Sequence, residues 1–290
     1  MPKKIKILLL TILVISFFLR VFRIDYPHTF IFDEVYYPFT SQEYLNGNIK
    51  AWEWWNKAPK DRGYAWVNPP LPQEIMAVSM FILRNQDPWV WRLPGAFLGV
   101  LSIYLVFYLG KLLFKNEEIG LLAAFIFSLD GLNFTLSRIG MLDIYLVTFI
   151  LGSLLFFLLK KYWLSAIFLG LALASKWTAV LILPVYFIIL LKNYRLLNLL
   201  YYLILIPIVY LVCYIPFFLV GHNFYDFLNL LNQEVSYQTN LKATHDFASK
   251  WWSWPLNLKP VWIFAEYKTN LVANIYASGH PLIFWGGMAS

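Results

Sequence analysis

The sequence predicts an all-α polytopic membrane protein. About seven complete transmembrane helices and the start of an eighth form a bundle, with interfacial helices in the first and last external loops. Three observations predict this. Hydrophobic residues make up 60% of the 290 and charged residues 13%, against about 45–50% and about 25% in ordinary soluble chains. The apolar runs are long and continuous rather than alternating, the pattern of spanning helices and not of barrel strands. Lys and Arg recur at intervals that fall on one side when successive runs cross the membrane in turn.

The elements follow in order. Met1-Pro-Lys-Lys-Ile-Lys6 precedes an apolar run over 5–22. It reads as a retained anchor, because the run is long for a signal sequence and no small-x-small cleavage site follows. With Lys3, Lys4 and Lys6 in the cytoplasm, 23–92 is an external loop. Within it, 71–84 is apolar but opens on Pro-Pro-Leu-Pro and carries Glu74, which suits a helix lying at the interface. The next run, 93–114, returns to Lys111 and Lys115. Then 118–136 exits before Arg138, and 140–159 returns to Lys160 and Lys161. The runs 162–175 and 177–191 are short, hence tilted, broken or only partly inserted. They exit near Lys176 and return to Lys192 and Arg195. Finally 197–220 exits, leaving 221–280 outside. The eighth run begins near Pro281 and reaches Ser290, about half of the roughly 20 residues a span needs. The chain therefore reads as the N-terminal part of one longer domain covering 1–290. A crossing at 71–84 would move every later basic cluster to the wrong side.

The lone cysteine, Cys213, lies in an apolar run and has no intramolecular partner. The net charge of +7 orients helices, and no concentrated basic face favours nucleic acid as a partner. The bilayer is the expected one.

The charge map gathers the chemistry outside. Asp33, Glu34, Arg138, Asp143, Lys176 and His245 lie on or just within the external face. A carboxylate there suits a general base acting on a hydroxyl. Arg138 and Lys176 stand in hairpins almost free of other polar groups, on the side where orientation calls for no positive charge. Two cations near a lipid surface suit a phosphate, although each also suits simple snorkelling to the interface. Together they suggest group transfer from a lipid-linked phosphate donor. Trp52, Trp54 and Trp55, with Trp251, Trp252 and Trp254, suit either an interfacial belt or stacking on sugar rings. No cofactor is required. Asp33, Glu34 and Asp143 would suit Mg²⁺ or Mn²⁺, on weak spacing evidence.

Phe32-Asp-Glu-Val35, Asn68-Pro-Pro-Leu71, Trp91-Arg-Leu-Pro94, Ser137-Arg-x4-Leu-Asp143, Ser175-Lys-Trp177, Thr244-His-x-Phe-x-Ser249, Trp251-Trp-Ser-Trp-Pro-Leu256 and Ile275-Tyr-Ala-Ser-Gly-His-Pro281 form an ordered series. It resembles the protein O-mannosyltransferase family of GT-C-type membrane glycosyltransferases across nearly the whole chain. The resemblance implies a polyprenyl-phosphate (dolichyl-phosphate) mannose donor, a Ser or Thr acceptor on a translocated protein, and inversion at the anomeric carbon. It implies Asp33 as general base with Glu34 as its partner. Arg138 and Lys176 would bind the lipid phosphate with Asp143 beside them, and Asn68 and His245 would line the donor or acceptor site. Three departures stand out: Asn68 replaces the family's usual histidine, His245-Asp-Phe replaces His-Pro-Tyr, and the family continues with further spans. The last external loop has no inserted soluble domain, which favours a prokaryotic cell membrane over the endoplasmic reticulum.

Rival readings are another GT-C transferase, such as one moving aminoarabinose to lipid, a multi-pass transporter, and a non-catalytic membrane scaffold. A transporter calls for mid-span polar residues and inverted repeats, and the sequence displays neither.

Overall fold

The first helix, α1 (Lys3–Val21), exposes Leu10, Val14 and Phe18 by 62%, 57% and 62% and buries Ser16 and Arg20 along with Ile5 and Leu9. Exposed apolar side chains opposite a buried arginine suit hydrocarbon. The structure is a computed structural model that describes residues 1–193, 196–242 and 248–289.

A 3₁₀ turn over Phe32–Val35 is followed by α2 (Tyr37–Leu45) and α3 (Leu71–Leu83). Next come α4 (Pro88–Phe114), α5 (Glu117–Ser128), α6 (Gly131–Leu136), α7 (Asp143–Leu158) and α8 (Tyr162–Leu173). A second 3₁₀ segment, Trp177–Ile182, leads into α9 (Leu183–Lys192), α10 (Leu196–Val212), α11 (Ile215–Leu219) and α12 (Phe224–Asn240). Strands β1 (Val261–Lys268) and β2 (Leu271–Ala277) precede α13 (Pro281–Ala289).

The chain packs as two units. The first is Met1–Glu34, Asp87–Gly140 and Leu241–Ser290; the second is Val35–Gln86 and Met141–Asn240.

In the first unit α1 packs on α4 and α5. Asn116 caps α5, its side chain accepting from the N–H groups of Glu118 and Ile119 at 2.7 and 3.2 Å. The α4–α5 hairpin closes on glycine: a Cβ at Gly120 would lie 2.6 Å from the Phe107 carbonyl oxygen, so the backbones meet where no side chain fits. Asp130 caps α6 through the Asn133 N–H and also accepts from the His280 N–H at 3.1 Å. Strands β1 and β2 pair antiparallel, joined by Thr269-Asn270, and β2 packs on α6.

The second unit packs α7 on α8 and α8 on α10. A buried polar seam ties them: the Ser153 hydroxyl donates to the Ser165 carbonyl at 2.9 Å, and the Tyr202 hydroxyl donates to Ser165 Oγ at 2.9 Å. Short side chains of this kind serve as interhelical glue where lipid removes the hydrophobic driving force. A second core gathers Trp52, Tyr210, Tyr214, Phe217, Phe227 and Leu230.

Two expectations change. The chain is mostly helical but not all-α. Val261–Lys268 is rich in aromatic and β-branched residues, which favour a pleated strand, and the segment 221–280 contains this hairpin as well as the helix α12. Among the described residues, one helix, α4, is long and apolar enough to cross a membrane by length and composition. The run 118–136 breaks at the Asp130 cap. The run 177–191 starts as a 3₁₀ segment after an extended Lys176, and 197–220 breaks at Cys213-Tyr214, ahead of Pro216.

Candidate active site

In the first unit, the Phe32–Val35 turn separates two adjacent acids. Glu34 is fully buried, whereas Asp33 keeps partial exposure. The turn begins at Phe32 with φ +50°, a conformation uncommon for a bulky residue and typical of constrained functional segments. Glu34 takes a bidentate ion pair from Arg92, Nε to Oε1 at 2.8 Å and Nη2 to Oε2 at 2.7 Å. It also accepts from the backbone N–H groups of Gly140 at 2.8 Å and Ile31 at 3.2 Å, and from the Trp91 indole at 3.4 Å. Arg92 spends its remaining donors on the carbonyls of Ile24, Pro27 and Thr29. The lone pairs of Glu34 are thus occupied, and the carboxylate pins the loop carrying Asp33 to the head of α4.

Arg138 sits in the same unit. Its Nη1 and Nη2 donate to the carbonyls of Leu19 and Phe22 at 3.2 and 2.8 Å, capping the last turn of α1, where positive charge complements the helix dipole. Arg138 also lines a cavity of about 540 Å³ with Arg23, Tyr26, Thr135, Asn274 and Glu266. Glu266 accepts from the Tyr26 hydroxyl. Close by, Arg20 is buried and donates to Ser137 Oγ and Asn133 Oδ1, both at 2.9 Å. Burial and then the charge of Arg92 lower the Arg138 pKa. The crowding of cations in this unit favours an anion.

The second unit holds the other cation. Lys176 Nζ donates to Asp143 Oδ1 at 2.8 Å, with the two side chains 30% and 29% exposed. Lys176 is extended, φ −160° and ψ 133°, between α8 and the 3₁₀ segment that Trp177 opens. The Asn68-Pro-Pro-Leu71 motif meets this break, as the Leu71 N–H donates to the Ala174 carbonyl at 3.2 Å. On the other side the Trp177 indole donates to Glu234 Oε2 at 3.0 Å, and the Tyr214 hydroxyl donates to Glu234 Oε1 at 3.1 Å. Burial pushes the carboxyls of Glu234 and Glu74 up to about 8.

A sequence-family model described as dolichyl-phosphate-mannose-protein mannosyltransferase matches residues 10–231. The chain belongs to this family. A polyprenol-phosphate-mannose–protein mannosyltransferase of Mycobacterium tuberculosis is 28% identical over 125 residues, 42% of this chain and 22% of that protein. The Corynebacterium glutamicum protein of the same name is 31% identical over 87 residues, 30% of this chain and 16% of that one. The chain thus matches about a fifth of the length of these relatives. The fold is similar to a chain of the Saccharomyces cerevisiae protein O-mannosyltransferase Pmt1-Pmt2 complex bound to the sugar donor. The TM-score is 0.53 at 21% identity, over 82% of this chain and 32% of that one.

Within this chain the predicted residues are distributed as follows. Asp33, Glu34 and Arg138 belong to the first unit, and Asn68, Asp143 and Lys176 to the second. Trp251 and Trp252 stand on a 3₁₀ turn that Trp254 caps, and the three are 74%, 50% and 60% exposed, so their rings do not wall a closed cleft. His245 lies outside the described residues. Among the described residues no three His, Cys, Asp or Glu side chains group as a metal site. The sequence did not single out Arg20, Arg92 or Glu234. Arg92 stood inside a quoted motif without a role, and Glu234 carried a usable signal. It follows Phe227 and Leu230 at helical spacing on the buried face of an otherwise polar helix.

Proposed function

We propose that this chain carries the catalytic machinery for inverting transfer of mannose from a polyprenyl-phosphate donor to Ser or Thr hydroxyls of proteins, on the external face of a prokaryotic membrane. The observation that carries the reading is the Phe32–Val35 turn, which buries Glu34 on Arg92 and leaves Asp33 partly exposed. Seven spans, some of them broken helices, with the N-terminus inside and an eighth beginning at Pro281, suit the basic clusters and the outward apolar faces.

Asp33 takes the proton of the acceptor hydroxyl as its oxygen attacks the anomeric carbon. The bond from that carbon to the phosphate oxygen breaks on the opposite face, which inverts the centre. The lipid phosphate leaves with its negative charge met by a cation, the candidates being Arg138 in the first unit and Lys176 in the second, and it is a good enough leaving group to need no acid. Glu34 and Arg92 hold the base in place and exchange no proton. The experiment is transfer of radiolabelled mannose from polyprenyl-phosphate-mannose to a Ser/Thr peptide by membranes containing the protein. Transfer from a different lipid-linked sugar alone would replace the mannose assignment.

A further inference from the structure

Glu234 is 1% exposed on a helix of the last external loop, and its two oxygens meet two neutral donors, the indole of Trp177 and the hydroxyl of Tyr214. Tyr214 in turn bonds the Tyr210 hydroxyl at 3.2 Å. A buried carboxyl without a cation is costly, and a leucine would continue the Phe227–Leu230 face at no such cost. The contact it makes is specific: Trp177 follows Lys176 directly, after the three-residue break where α8 ends. Lys176 itself is held through Asp143, and its neighbour Ala174 receives the Leu71 N–H. One carboxyl therefore ties α12 to the backbone that presents Lys176.

We propose that Glu234 is a positioning residue for lipid-phosphate binding: it clamps α12 onto Trp177 and so fixes the Lys176–Asp143 pair. The proposal rests on the assignment of Lys176 to the phosphate. The titratable groups facing Glu234 are Tyr214 and Tyr210, with Tyr44 of α2 and Glu74 of α3 adding negative charge nearby when ionised. No cation contributes to its titration. Burial holds Glu234 neutral up to about 8, against the two hydrogen bonds, which favour the charged form.

The test uses membranes containing the protein with Glu234→Leu and Glu234→Gln. One readout is the rate at which an N-hydroxysuccinimide ester acetylates Lys176, followed by mass spectrometry. The other is KM for polyprenyl-phosphate-mannose against kcat, from pH 6 to 9. For Glu234→Leu, acetylation of Lys176 speeds up by about threefold or more and KM rises by a similar factor, the scale of coupling through packed neighbours. Glu234→Gln still accepts from Trp177 and stays near wild type in both readouts at pH 7. If Glu234→Leu does not accumulate, Trp177→Phe removes the indole donor while keeping an aromatic ring, and shifts both readouts the same way. Unchanged acetylation and KM in folded variants would overturn the clamp. Faster acetylation in a protein that transfers no mannose would keep the clamp and remove the activity assignment instead.

Discussion

Glu34 and Arg92 form a two-point ion pair at 2.8 and 2.7 Å, 0% and 1% exposed, with the Gly140 N–H on the same carboxylate. Two charges so deeply buried are sustained by complete hydrogen bonding, and removing either leaves the other uncompensated. Glu34→Ala and Arg92→Ala should each destabilise the protein by about 3–5 kcal/mol, read as a lower Tm in detergent. The double variant should lose far less than the sum of the two. Additive losses would mean that the pair is not the unit that holds the loop.

Arg138 has two tasks that substitution can separate. Arg138→Ala removes both the cap on α1 and the charge in the cavity, whereas Arg138→Lys keeps the charge. Charge-assisted bonds are worth about 1.5–3 kcal/mol, so the alanine variant should raise the donor KM by about 10- to 100-fold. The lysine variant should recover most of that KM while still showing the lower Tm of the lost cap. Equal KM in the two variants would assign Arg138 to the helix end alone.

Lys176 and Asp143 should respond unequally. Lys176→Met removes the charge offered to the phosphate and should raise the donor KM by about tenfold or more. Asp143→Asn keeps an oxygen acceptor for the amine and should change KM by only about two- to threefold, because a partly exposed ion pair contributes little by itself. Competitive inhibition by polyprenyl phosphate checks both. Tighter inhibition of Lys176→Met than of wild type would contradict the assignment.

Much of this was legible in the sequence, and the illegible parts share a cause. Asp33-Glu34 and Ser175-Lys-Trp177 announce themselves because charge is scarce in an apolar chain. The division of labour between Asp33 and Glu34 does not, since it depends on Arg92, 58 residues away, and on a left-handed Phe32. The apolar helices were visible as apolar runs, while their breaks come from single groups: the Asp130 cap, the extended Lys176 and the Cys213-Tyr214 turn. The hairpin at Val261–Ala277 was missed because aromatic residues in a membrane chain read first as interfacial belt.

Stability should fall as pH rises. Glu74 and Glu234 titrate near 8 in the fold, against 4.5 when unfolded. The fold prefers the neutral acids, so their contribution is complete below 4.5 and lost as pH rises through about 8. The slope is at most about 1.4 kcal/mol per pH unit for each group. Tm in detergent should decline from pH 5 to 8.5, and Glu74→Gln with Glu234→Gln should flatten the decline. A flat wild-type curve would contradict the neutral assignment.

The most direct measurement is the initial rate of radiolabelled mannose transfer from polyprenyl-phosphate-mannose to a Ser/Thr peptide by Asp33→Asn, compared with wild type at equal folded protein. With Glu34 occupied by Arg92, the proposed base of the pair is Asp33. The rate should fall by about 10²- to 10⁴-fold, with donor KM within a few-fold of wild type. Transfer by Asp33→Asn at the wild-type rate would contradict the account.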